Sequence, residues 1–282
     1  MIIDQYLKEN KKIQKAILDY LDDNTDIEEK YAYLKNTIYE IKIRSNQYEI
    51  KSLLYLILKI SNNHQRKNDF LSKIQQVLLL FKEEMKNYFT NSELFHIFKS
   101  NKRLLLFLLE ENIMIMEEDI VKQIVNNQKY IIMNYPQYFI PEIRPYIDEE
   151  WFPKDENTYY LNNNQKYIIS HEIKQEIPED YYEKRRIGEN DNQICKLIRE
   201  DLVKEFIVYV NQNSYSLKST INRSIYETNS FFLKKYETTL IEYAAFYGSI
   251  QIFNYLRLND VEVGGSLWIY AIHSQNAEII HF

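Results

Sequence analysis

Five histidines are the side chains of this sequence best suited to hold a metal ion. They are His64, His96, His171, His273 and His281. A zinc site on one helix needs two histidines four residues apart with a glutamate beside the first, and no pair here has that spacing. His171-Glu172 lacks the second histidine. We therefore expect no metal site and no cofactor.

Nucleophilic and acid–base chemistry is also poorly supported. Cys195 lies beside Ile194 and Leu197 in an apolar helical pattern, which is typical of a buried, inert thiol. Acidic residues cluster at 117–119 and 148–150, but neighbouring acids on a helix do not share a face. Because the sequence contains neither a phosphate-binding glycine loop nor a nucleophile elbow, we expect a protein without enzymatic activity.

A short basic run, Lys184-Arg185-Arg186, is a candidate nuclear localisation signal or lipid contact. Glu183 and Glu189 flank this run. Such neutralised runs indicate an exposed helix with mixed charges.

Composition decides the class of fold that must position these residues. The chain has 282 residues, 45% of them hydrophobic, with only 4 Gly and 5 Pro, which favours an all-α fold. The formal net charge of -6 argues against a nucleic-acid partner. No apolar run approaches the roughly 20 residues that cross a bilayer, so we expect no membrane span. One cysteine and no visible export signal predict a cytoplasmic location.

Glycine and proline divide the chain into three regions. Residues 1–135 contain neither residue type, and we predict a helical N-terminal domain there. All prolines fall at 136–178, which predicts an irregular linker at 136–190, because each proline ring removes a hydrogen-bond donor. Residues 191–282 form the third region. Helices are predicted near 4–22, 27–44, 47–62, 68–89, 92–99, 102–111, 117–126 and 128–134.

An internal repeat is clearest at 239–256, a stretch that resembles one ankyrin repeat. Thr239 is placed to cap an inner helix, and Ala244-Ala245 let that helix approach its neighbours closely. Gly248 turns the chain into an outer helix whose apolar face comprises Ile252, Phe253 and Leu256. A second copy follows at 266–282, with Gln275 in place of the turn glycine. A weaker copy occupies 191–210 with Asp201 at the turn, and fainter echoes occur at 93–111 and 117–132.

Taken together, these copies resemble an expanded ankyrin-repeat family of parasitic protists, in which a helical N-terminal domain of unknown function precedes an ankyrin array. The resemblance is specific from about Asn190 onward. It implies an α-solenoid of helix-turn-helix repeats and a protein-interaction role, and it brings no catalytic residues. The chain departs from that family because it ends at Phe282, inside an outer helix, so we expect either a fragment or a shortened member.

The resemblance places partner-binding residues where the inner helices end and face a groove. The positions are Phe246 and Tyr247, His273 and Ser274, and Arg199 and Glu200, and the hairpins add Tyr236, Thr238 and Glu262. We predict that another protein binds there. An alternative interpretation is that Phe246 or Tyr247 packs inward against a long insert.

That insert occupies 213–238 and has a surplus of basic residues, which suits an acidic partner segment. It is alternatively a plug that Phe231, Phe232 and Leu233 fix to the solenoid. The last repeat leaves Trp268, Ile279 and Ile280 without a next neighbour, which predicts an adhesive edge. A scaffold that self-associates through this edge is therefore the alternative function.

Overall fold

A computed structural model describes residues 2–22, 25–41, 46–64, 69–147, 176–234 and 237–281. Over these ranges the chain is all-helical, as predicted, and contains no strand. Thr220 and Thr239 form an isolated antiparallel bridge. The chain divides into two compact units, Met1–Ile120 and Val121–Phe282.

Asparagine and threonine caps set several helix starts in the first unit. The side chains of Asn46 and Asn101 accept hydrogen bonds from the first turns of their helices, and Thr90 forms a reciprocal capping box with Glu93. These polar residues therefore mark where helices begin in a region that lacks glycine and proline. The helices are α1 (Ile2–Asp22), α2 (Ile27–Glu40), α3 (Gln47–Asn63), α4 (Phe70–Leu79), α5 (Lys82–Tyr88), α6 (Asn91–Phe98), α7 (Lys102–Glu110) and α8 (Glu118–Asn126), which crosses into the second unit.

The single helix predicted near 68–89 is two helices. The chain tightens into a 3₁₀-type turn at Leu80 and Phe81, because their N–H groups donate to Val77 O and Leu78 O, three residues earlier in the chain. This tightening buries both Phe81 and Met85 completely. The run from Val77 to Phe81 is apolar throughout, so its periodicity does not reveal the break.

The second unit continues with very short helices. Pro136, Pro141 and Pro145 each lie in the first turn of one of them, where the missing N–H has no helical acceptor to lose. The predicted irregular linker thus contains short helices in its described part, together with non-helical segments at 176–180 and 188–190, while residues 148–175 lie outside the described residues. The elements are α9 (Gln128–Ile132), α10 (Tyr135–Tyr138), α11 (Ile140–Ile143), a 3₁₀ turn (Arg144–Tyr146) and α12 (Tyr181–Ile187).

Arg185 ties α12 to α10 and α11. Its guanidinium donates to both carboxylate oxygens of Glu142, at 2.7 and 2.9 Å, and to Tyr138 O at 3.2 Å. Only 4% of Arg185 is exposed. The prediction of an exposed basic helix was wrong for this residue, because its partner Glu142 is 43 residues away in sequence.

The rest of the second unit is a stack of three helix pairs. Inner helices α13, α16 and α18 pack in succession, outer helices α14 and α17 pack beside them, and α19 follows α18. A short helix, α15, lies in the insert. The bounds are α13 (Gln193–Arg199), α14 (Val203–Gln212), α15 (Ser230–Lys234), α16 (Leu240–Tyr247), α17 (Ile250–Leu258), α18 (Leu267–Ser274) and α19 (Ala277–Ile280).

Each inner helix ends on a residue in the left-handed conformation. These residues are Asp201 (φ 51°), Gly248 (φ 73°) and Gln275 (φ 53°). The outer helices α14 and α17 end in the same way at Ser214 and Asp260. The three pairs therefore share one turn geometry although only one of them has the glycine that relieves its strain.

Hydrogen bonds connect successive turns of the stack. The Asp201 carboxylate accepts from the N–H groups of Gln251 (3.1 Å) and Ile252 (3.0 Å), and so caps α17 of the next pair. Between the second and third turns, the side-chain amide of Asn276 donates to Gly248 O at 3.3 Å. Neighbouring pairs are thus joined by specific polar contacts as well as by apolar packing.

Candidate functional site

The predicted binding residues at the ends of the inner helices share their spacing from the turn residues. Arg199, Phe246 and His273 each precede the left-handed turn residue by two positions. Glu200, Tyr247 and Ser274 precede it by one. The predicted groove positions therefore occupy equivalent places in the three pairs.

Two aromatic residues of the insert pack against the ends of the inner helices, where the groove was predicted. Phe231 lies 4.9 Å from the Tyr270 ring and 4.7 Å from the His273 ring. Phe232 lies 4.6 Å from Phe246 and 4.9 Å from Tyr243. The interpretation in which Phe246 packs inward against the insert therefore describes the structure.

Hydrogen bonds hold the insert to the neighbouring segments. Leu240 N–H of α16 donates to Ser219 O at 3.3 Å, and inside the insert Ile221 N–H donates to Thr238 O at 2.8 Å. The hydroxyl of Thr228 donates to Gly188 O at 2.7 Å, and the amide of Asn190 donates to Asn222 O at 2.7 Å. The insert is consequently part of the folded unit.

These contacts remove several predicted binding residues from the surface. Phe246, Ser274 and Thr238 are buried at 4%, 5% and 3% exposure. The Ser274 hydroxyl donates to Ala271 O, and it accepts from Asn276 N–H. In this conformation these three residues are not available to a partner, because the insert and the turn already contact them.

The remaining predicted residues keep some exposure. Tyr247 and His273 are half-buried, whereas Glu200 and Glu262 are exposed. Burial lowers the pKa of His273 below the ordinary histidine value. Tyr236 lies outside the described residues.

Arg199 has a structural role. Its guanidinium donates to Asn190 O at 2.8 Å and to Tyr243 OH at 2.9 Å, and it forms an ion pair with Glu189 at 2.8 Å. It therefore fixes the segment before α13 to the stack. Cys195 is fully buried, as predicted, and burial raises the pKa of its thiol to about 12.

A second surface lies at the C-terminal edge of the stack. In α16, which packs against both α13 and α18, the residues seven, six and three positions before the turn residue are Ile241, Glu242 and Ala245, and all three are buried. The same count in α18 gives Trp268, Ile269 and Ile272, which are 59%, 55% and 61% exposed. We call these three residues the apolar edge.

The predicted edge was only partly right. Trp268 is exposed, but Ile279 is buried at 2% because α19 folds back against α18. Ile269 and Ile272 were missed, although aligning α18 with α16 by their turn residues would have identified them. Position in the stack, and not hydrophobicity alone, decides which apolar residues stay uncovered.

Two features are absent from the described ranges. No group of three or more potential metal-ligating side chains occurs among those residues. No helix in the same ranges is sufficiently long and apolar to span a bilayer. Comparison of the chain with protein-family models, with curated proteins and with solved structures found no match.

Proposed function

We propose that the chain is a non-catalytic protein-interaction module, built as a stack of degenerate ankyrin-type repeats. Three features support the repeat assignment: the successive packing of α13, α16 and α18, the common left-handed turn, and the hydrogen bonds between turns. Stacked helix pairs of this kind present surfaces to other proteins and bury their cores only against each other.

The apolar edge is the observation that carries this proposal. Trp268, Ile269 and Ile272 together form an exposed apolar surface on one helix. Contiguous apolar patches of this kind mark interaction sites, and tryptophan is enriched among the residues that dominate binding energy. A partner that covers this helix would bury the same face that α18 buries on α16.

The groove with its insert is a second candidate surface. The observation in its favour is the half-buried aromatic set of Phe231, Tyr247 and His273, which packs together with Phe232. A partner would contact the rim of this set, because the insert occupies the groove itself. This version retains the predicted groove surface without its buried members.

A protein partner suits the charge of the chain better than a nucleic acid. The formal net charge of -6 would repel phosphates. Absence of enzymatic activity and a cytoplasmic location are part of the same proposal.

A pull-down from cell lysate with the tagged full chain tests the proposal. Trp268→Asp with Ile272→Asp removes the apolar edge, and Tyr247→Ala with His273→Ala alters the groove rim. Val208→Asp is the matched control, because Val208 is 52% exposed on the opposite side of the stack. We expect the edge variant to lose its bound proteins and the control to keep them.

Loss in the rim variant alone would transfer the binding site to the groove. Unchanged recovery in both variants, with an unchanged helical circular dichroism signal, would contradict the proposal.

A further inference from the structure

The apolar edge is a specific surface, since it repeats a face that is covered elsewhere in the stack. Each earlier inner helix buries its equivalent residues, Ile194 and Ile198 in α13 and Ile241 and Ala245 in α16. The described residues provide no further inner helix to cover α18. We propose that a second copy of this chain covers it, with the two α18 helices packed face to face and antiparallel about a two-fold axis.

This inference rests on the proposed function, because it names the partner of the apolar edge. It commits to a symmetric pair and not to a chain of copies joined head to tail. The choice depends on the chemistry of the opposite edge.

The N-terminal edge of the stack does not match the apolar edge. A shallow depression there is lined by the charged residues Lys196, Glu200, Lys204 and Glu205 together with Leu197, Leu202, Val208 and Tyr209. A head-to-tail contact would pack Trp268 and Ile272 over this mixed surface and withdraw its four charges from water, which is unfavourable because the apolar edge offers them no charged partners. Charge therefore argues against that arrangement.

The apolar edge, in contrast, matches itself. From Leu267 to Ser274, α18 contains no Asp, Glu, Lys or Arg, so two copies would meet without like charges opposed across the helices. In a two-fold interface the same patch serves both partners. An antiparallel arrangement also brings the positive end of one helix dipole near the negative end of the other.

Trp268 and Ile272 are one helical turn apart and form a ridge. Such a ridge packs beside its counterpart when two helices cross at a shallow angle. The patch comprises only three strongly exposed side chains on one helix, with Val263 (42% exposed) in the preceding loop. A surface of this size corresponds to a small interface, and we expect a dimer that dissociates on dilution.

The chain supplies its own probe for this contact. It contains two tryptophans, Trp151 and Trp268. In a Trp151→Phe variant of the full chain, tryptophan fluorescence would report on Trp268 alone. Fluorescence emission and sedimentation equilibrium can then be measured on the same purified samples. We expect the mass to rise from one chain to two with concentration, and the emission maximum to shift to shorter wavelength in parallel.

Substitutions separate the alternatives. Trp268→Asp and Ile272→Asp, each made in the full chain, should stay monomeric with an unchanged circular dichroism spectrum. Val208→Asp, at the N-terminal edge, should dimerise like the unmodified protein. Sedimentation of the unmodified chain provides the control for any effect of Trp151→Phe on folding.

Three results would overturn the inference. The first is a monomer at all concentrations with solvent-exposed Trp268 emission. The second is a dimer that persists in both edge variants. The third is loss of assembly in Val208→Asp as well as in the edge variants, which would indicate head-to-tail association. If the purified chain is monomeric but the lysate experiment still requires the apolar edge, the proposed function stands and only the identity of the partner is wrong.

Discussion

Helices α16 and α18 occupy equivalent places in successive helix pairs, yet they carry different residues at equivalent positions. Helix α16 has Ala245 and the buried Glu242, whose carboxylate accepts from the Ser266 hydroxyl just before α18. The corresponding positions of α18 are Ile272 and Ile269, both exposed. A small residue and a matched polar contact suit a fixed neighbour inside the chain, whereas large exposed residues suit a neighbour that comes from outside.

The largest expected difference between the two helices follows from a charge on this face. Ile241→Asp places a carboxylate in the packed interface with α18, and we expect a loss of more than about 3 kcal/mol in unfolding free energy. Trp268→Asp, seven positions before its own turn residue as Ile241 is, should change the stability of the monomer by less than about 0.5 kcal/mol. Urea unfolding at low protein concentration measures both values, and similar losses would show that Trp268 is covered within the chain.

The two turns provide a second comparison of intermediate size. Gly248→Ala forces a side chain into the left-handed region and places its Cβ 3.4 Å from Ser274 Cβ, so we expect a loss of about 1–2 kcal/mol. Gln275→Gly relieves the corresponding strain at an exposed position and should stabilise the protein by up to about 1 kcal/mol. Thermal unfolding of both variants tests this opposite sign, and a gain in Gly248→Ala would refute the strain argument.

The smallest effect concerns pH. His273 in α18 replaces Phe246 in α16 and packs 4.9 Å from that ring. Because burial lowers the pKa of folded His273, the unfolded chain takes up its proton first as pH falls below about 6.5. Stability should therefore decrease through this range and level off below the folded pKa.

His273→Phe should make this pH dependence shallower, which urea unfolding between pH 7.5 and 5 can measure. His281→Phe is the matched control, because His281 is exposed. An equal slope in the His273 variant and the unmodified protein would contradict the assignment.

Local signals predicted the helices of this protein well. The periodicity from Leu53 to Ile60 and the polar residues after it place a helix near 47–62, and α3 is Gln47–Asn63. The predicted cap at Thr239 is confirmed by its capping box with Glu242. Such features depend on neighbours within a few residues, so the amino-acid order is sufficient to locate them.

Contacts between distant segments were beyond this kind of prediction. The spacing of Phe246 and His273 placed both at helix ends, and the interpretation of the insert as a plug named Phe231 and Phe232, but neither pattern identified which rings these two side chains contact. Arg185 likewise belongs to a run that was predicted to be solvent-exposed, whereas in the structure it forms an ion pair with Glu142. In both cases burial depends on how a long intervening segment folds back, and no local pattern encodes that path.

Asp201 illustrates how closely one helix pair depends on the next. It holds the left-handed conformation at the end of α13 while its carboxylate caps α17. A glycine would ease the backbone there but would leave the first turn of α17 without its acceptor. The second pair thus cannot detach from the first without fraying its own outer helix, and we expect the two pairs to open as one cooperative unit in hydrogen exchange.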